Sequence, residues 1–113
     1  MEESFTFAAL FYKVTTLLPK EERFGLTNQM RRAAVSVSSN IAEGHERTRK
    51  EFCNFLSIAR GSLAEVESQL FLATELGFLR RGDIAELLGL AQEIRRMIGR
   101  PSSSSFAFLS PEP

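Results

Sequence analysis

Tryptophan is absent from this chain, histidine and cysteine occur once each, and neither sign of charge prevails. Each scarcity closes off a class of function. The single cysteine, Cys53, excludes an internal disulfide and fits a reducing compartment. It reads as a small, partly buried side chain rather than a reactive thiol. The single histidine, His45, leaves no pair for a metal site. The Glu-x-x-His motif that bundle-type metal centres carry on facing helices is also missing. No glycine-rich, phosphate-cradling loop occurs. Cys53 and His45 are eight residues apart across a predicted helix start, which makes no dyad. The expectation is no catalysis, no cofactor, no metal and no small-molecule substrate.

Long apolar runs are lacking too. None approaches the roughly 18 residues of a membrane span. The opening Met1-Glu2-Glu3-Ser4 lacks the positive region of a signal peptide. No membrane association and a cytoplasmic location are therefore expected. Lys plus Arg equal Asp plus Glu at 14 each, so total charge gives no general attraction to nucleic acid. The distribution is mildly dipolar. Residues 20–60 carry eight basic and five acidic groups, whereas residues 61–79 carry Glu65, Glu67 and Glu75 and no basic group.

What the chain does have is ten phenylalanines, 43% apolar residues and helical spacing over most of its 113 residues, enough for one domain with its own core. A first helix is predicted over Ser4–Leu18. Phe7, Phe11, Val14 and Leu18 form its core stripe, and Phe5, Ala8, Leu10 and Leu17 widen it. Pro19 stops this helix and can open a short helical turn with Glu21 and Glu22. A second helix is predicted over Leu26–Gly44, with Leu26, Met30, Ala33, Val37, Ile41 and Gly44 as its seam. On nearly the opposite side stand Arg31, Val35, Ser38 and Ala42, small or flexible residues that suit close approach by a second helix or a second subunit.

Thr48-Arg49-Lys50-Glu51 is a capping box that starts a third helix, so His45-Glu46-Arg47 is the turn before it. Phe52, Phe55, Leu56, Ala59, Leu63, Val66, Leu70 and Ala73 form the seam of this helix, which runs to about Leu76 before Gly77. Asp83-Ile84-Ala85-Glu86 reads as a second capping box, with Asp83 as the cap of a fourth helix that ends near Gly99. Arg95, Arg96 and Arg100 near its end complement the helix dipole. Short connections between four helices predict an all-α, antiparallel up-down-up-down four-helix bundle over residues 1–100. Residues 101–113 form a Pro- and Ser-rich tail expected to be disordered, in which Phe106, Phe108 and Leu109 could dock on a neighbouring groove.

Two polar groupings stand out. Gln29, Arg32, Ser36, Asn40, Glu43 and Arg47 fall within a sector of about 80° at about 100° per residue. Ser62, Glu65 and Gln69 of the third helix can face them. This pattern predicts an interhelix or intersubunit network built on Gln29, Arg32, Asn40, Glu43 and Glu65, with Arg32–Glu65 and Glu43–Arg47 as its ion pairs. Its functional alternative is a ligand or nucleic-acid contact at the rim of a ring. The second grouping is Arg47, Arg49 and Lys50 at the turn, the best candidate for a nucleic-acid contact, diluted by Glu46 and Glu51. A solvated turn is its alternative.

Several stretches carry a family resemblance. They are Leu18-Pro19-Lys20-Glu21-Glu22-Arg23-Phe24-Gly25-Leu26, Gln29-Met30-Arg31-Arg32-Ala33-Ala34-Val35-Ser36, Ser39-Asn40-Ile41-Ala42-Glu43-Gly44 and Ala59-Arg60-Gly61-Ser62-Leu63-Ala64-Glu65, followed by Gln69-Leu70 and Leu76-Gly77-Phe78. In order and spacing, residues 5–98 resemble the bacterial four-helix-bundle family that includes proteins encoded inside intervening sequences of large-subunit ribosomal RNA genes. The resemblance implies an antiparallel bundle assembled as a ring, usually a homopentamer. A related bundle is an accessory protein of diversity-generating retroelements, working with a reverse transcriptase and RNA. Self-association and RNA or DNA are thus the implied partners; a protein-interaction adaptor without nucleic-acid binding is the alternative. Two departures matter: Ser38 stands where relatives often have Pro, so any kink there is weaker, and the family's longer first helix with its Trp is missing.

Overall fold

Periodic apolar residues interrupted at Pro19, Gly25, the 46–48 turn and Gly77 produce four α-helices. The computed structural model describes residues 2–99. The helices are α1 (Glu2–Thr15), α2 (Leu26–His45), α3 (Arg49–Glu75) and α4 (Arg81–Ile98), with a single 3₁₀ turn at Lys20–Glu22. No strand occurs among the described residues. The expected tail, with Phe106, Phe108 and Leu109, lies outside them.

Contacts along the helices fix the arrangement. Ser36 meets Ser62 while Gly44 meets Phe52 and Phe55, so α2 and α3 run in opposite directions. Glu67 meets Arg95 while Arg60 reaches the Gly99 carbonyl, so α3 and α4 do the same. The first helix packs on both α2 and α4, closing the bundle. Phe7, Phe11, Met30, Val37, Leu63, Val66, Leu70, Leu87 and Ile94 are fully buried between the four helices. Each such side chain contributes about 1.5–3 kcal/mol of transfer free energy. Phe7 and Phe11 pack edge to face, with centroids 5.1 Å apart.

Gly44 explains how closely α2 and α3 approach at their shared turn. A Cβ there would lie 3.2 Å from Phe55 Cβ and 3.3 Å from Phe52 Cδ1. The helix itself is continuous through Ser38, whose hydroxyl donates to the Val35 carbonyl at 3.1 Å. At the far side of the turn the Thr48 capping box forms: Thr48 Oγ1 accepts the Glu51 N–H and Glu51 Oε1 accepts the Thr48 N–H, each at 3.3 Å.

Three boundaries differ from expectation. The second helix takes in His45, which was expected in the turn. The first helix stops at Thr15 instead of Leu18. Its last turn tightens into i→i−3 bonds at Thr16, Leu17 and Leu18, because Pro19 disfavours helical backbone ahead of it. Leu18 is still buried, but Phe5 and Leu17 are 53% and 54% exposed and do not widen the core stripe. The fourth helix begins at Arg81, ahead of the expected Asp83 cap. Asp83 instead occupies the third helical position, where its carboxylate accepts the Arg80 N–H at 2.8 Å. It supplies the acidic half of a cap and not the N-cap. The chain is brought there by a tight reversal: Gly77 takes φ +82°, and the Phe78 and Leu79 N–H groups both donate to the Ala73 carbonyl.

Candidate nucleic-acid interface

Arg47, Arg49 and Lys50 are all exposed at the α2–α3 turn. They are not equivalent. The Arg47 guanidinium donates to the Glu43 carboxylate and lies over the Phe55 ring, 5.5 Å from its centroid. The hydrogen bond and charge of Glu43 hold Arg47 above the ordinary arginine range. Its positive charge is partly answered within the chain. Arg49 and Lys50 open the first turn of α3, where the helix dipole already presents its positive end. Cations there are locally unfavourable, a cost that the Glu51 carboxylate in the same turn partly offsets.

A groove of about 320 Å³ runs between α2 and α3, lined by Gln29, Arg32, Ala33, Ser36, Ser62 and Glu65. The Ser36 and Ser62 hydroxyls meet at 2.8 Å. Asn40 Nδ2 donates to the Ser36 carbonyl at 2.8 Å and to its hydroxyl at 3.0 Å. Glu65 does not pair with Arg32, contrary to the sequence reading. Its carboxylate accepts Gln69 Nε2 at 3.3 Å, one turn along its own helix. Arg32 lines the same groove without an ion pair, because a long exposed side chain gains little from being held in one geometry. The expected single network is therefore several pieces: Asn40–Ser36–Ser62, Glu65–Gln69, and Glu43–Arg47 at the turn, with Gln29 and Arg32 on the groove wall. Gln69 Oε1 is buried with no hydrogen-bond partner.

The other side of α2 also differs from the reading as an oligomer face. Arg31 Nε donates to Thr15 Oγ1 at 2.7 Å, its Nη2 donates to the Tyr12 carbonyl at 3.2 Å, and its guanidinium lies 4.7 Å from the Tyr12 ring centroid. Ala34 and Ser38 are buried on this side. The first helix of the same chain thus takes Arg31 and the α2 surface beside it. Val35 is left 39% exposed and Ala42 half-buried.

Residues 1–100 match the family model described as 23S rRNA-intervening sequence protein. The chain belongs to that family. No curated protein matches it. The bundle of this 23S rRNA-intervening sequence family member is therefore both a sequence and a structural finding, and its family description connects it with ribosomal RNA. Among the described residues no helix is long and apolar enough to cross a membrane. No group of three or more His, Cys, Asp or Glu among them could hold a metal ion. One basic cluster escaped the sequence reading. Lys20, Arg23 and Arg31 line one cavity with Thr15, Thr16 and Thr27. Pro19 and Gly25 break the helical period between them, so only the folded elbow shows the grouping.

Proposed function

We propose that this family member is a non-catalytic, homo-oligomeric scaffold, a pentameric ring as the family resemblance implies, that binds RNA or a ribonucleoprotein. The observation that carries the assembly is a row on the outer side of α3. Ile58, Ser62, Glu65, Gln69, Leu72 and Leu76 recur at alternating steps of four and three. Ile58, Leu72 and Leu76 are 52%, 49% and 53% exposed, and between them lie the polar groove and the unpartnered Gln69 Oε1. Heptad-spaced apolar residues suit a facing helix, and a second copy of this surface would supply one. The second side of α2 contributes less to this reading, since α1 occupies part of it.

The RNA role is supported by the family description and by Arg49 and Lys50 at the positive end of α3. Repetition around a ring would turn a weak local charge into a larger field. The test is fluorescence anisotropy with labelled RNA across a salt series. Binding should weaken steeply with salt and weaken further in the Arg47→Ala/Arg49→Ala double variant. Absence of binding at low ionic strength would overturn the RNA role. A protein-interaction adaptor is the second reading. It is favoured by an apolar groove of about 380 Å³ between α3 and α4, lined in part by Phe71, Ile84 and Leu88.

A further inference from the structure

The elbow joining α1 to α2 gathers positive charge and hydroxyls around a cavity of about 190 Å³. Its lining includes Lys20, Arg23 and Arg31 and no carboxylate. The nearby Glu22 carboxylate sits at the start of α2, its Oε1 accepting the Leu26 N–H at 3.2 Å, so it answers the positive end of that helix and leaves the charge of the cavity to its three basic side chains. Lys20 and Arg23 are exposed and have no ion-pair partner among the described residues. Arg31 is held in place by Thr15 and Tyr12 through its Nε and one Nη2 hydrogen, which leaves three of the guanidinium's five N–H donors.

The hydroxyls differ in the same informative way. Thr15 donates to the Phe11 carbonyl and Thr16 to the Lys13 carbonyl. Thr27, in the first turn of α2, is only 7% exposed, and its hydroxyl makes no hydrogen bond among the described residues. Its oxygen is not sealed off, since Gln69 Oε1 is the fully enclosed unpartnered side-chain oxygen among the described residues. Thr27 is one of the residues that line the cavity. A nearly buried hydroxyl without a partner and three cations around one cavity together describe a site for a phosphate oxyanion. A water molecule occupies about 30 Å³ of liquid, so the cavity has room for such a group.

We propose that this elbow binds a backbone phosphate of single-stranded RNA through Lys20, Arg23, Arg31 and Thr27. The phosphate site stands on the cavity alone; its RNA source rests on the function proposed above. Phe24 favours that source over free phosphate. It follows Arg23 directly and is 88% exposed, a large aromatic surface with no place in the core. Cations beside an open aromatic ring are how single strands are held, phosphate on charge and base on ring. The elbow and the α2–α3 turn stand at opposite ends of α2, about 30 Å apart at 1.5 Å per residue, so one strand can touch both.

The experiment uses the full chain in two assays. In the first, inorganic phosphate is titrated against the ¹⁵N-labelled protein. Saturable shifts are expected at Thr16, Lys20, Arg23 and Thr27, and their loss is expected in Lys20→Ala/Arg23→Ala. In the second, labelled single-stranded RNA is bound by the wild type, that double variant and Phe24→Ala. The double variant should lose about tenfold or more in affinity, with a salt slope shallower by about two charges. Phe24→Ala should weaken RNA about tenfold while leaving the phosphate shifts intact. Absence of phosphate shifts at the elbow, together with undiminished RNA binding by the double variant, overturns the elbow site and leaves the RNA role standing. Phosphate shifts at the elbow in a chain that binds no RNA support the site and overturn the RNA role.

Discussion

Arg95 and Glu67 meet across α3 and α4 as a two-pronged ion pair, with Arg95 Nη1 and Nη2 donating to Glu67 Oε2 and Oε1 at 2.8 and 2.7 Å. Sequence reasoning assigned Arg95 to the α4 dipole. Its main partner is instead a carboxylate on the neighbouring helix, which raises the arginine above its ordinary range. The two side chains are 25% and 20% exposed, so the pair is partly shielded from water. Glu67→Gln is expected to lower stability by about 1–2 kcal/mol. Arg95→Lys is expected to recover only part of that loss, because an ammonium cannot grip both oxygens in a plane. Urea unfolding of the variants checks both statements.

Two helical glycines should respond oppositely to alanine. A Cβ at Gly61 meets nothing within 4 Å, so Gly61→Ala is expected to stabilise by about 0.5–1 kcal/mol through helix propensity. At Gly44 the same methyl lands against Phe52 and Phe55, so the propensity gain is offset by displaced rings. Thermal or urea unfolding should rank Gly61→Ala above wild type and Gly44→Ala at or below it. Equal gains at both positions would mean that α2 and α3 are not this close.

The seating of α1 depends on Arg31. Replacing it with alanine removes its bonds to Thr15 Oγ1 and to the Tyr12 carbonyl and its stacking on the Tyr12 ring. Hydrogen exchange should accelerate in α1 by about tenfold, the equivalent of roughly 1.4 kcal/mol, while the centres of α2 and α3 stay protected. Uniform acceleration across all four helices would show that α1 is not separately anchored.

The helices and their seams were legible because spacing alone decides which side chains share a face. Met30, Ala33, Val37 and Ile41 on α2, and Leu56, Ala59, Leu63, Val66, Leu70 and Ala73 on α3, are all buried as their period requires. The Thr48–Glu51 cap was legible for the same reason, being a contact three residues long. What spacing could not decide is which partner a polar side chain prefers. Glu65 has a local choice in Gln69 and a distant one in Arg32, and it takes the local one. Arg31 faced away from the α2 seam and looked free for a sister chain, but the length of the elbow lets α1 fold back over it. The elbow cluster was hidden because its residues come from α1, the 3₁₀ turn and α2, with no common period.

The α3 row should be where identical chains meet. Charging it with Leu72→Glu and Leu76→Glu places carboxylates at positions that are 49% and 53% exposed in the single chain. Folding of the chain should therefore survive, with unchanged helical circular dichroism, while self-association is lost. Retention of the assembly in this variant would move the interface elsewhere on the bundle.

Light scattering on the unmodified chain, separated by size at micromolar concentration, is the most direct measure of the scaffold itself. The expected result is one species at a multiple of the 12.7 kDa chain mass, fivefold for the proposed ring. A monodisperse species at 12.7 kDa would contradict it, leaving Ile58, Leu72 and Leu76 facing water and the ring without foundation.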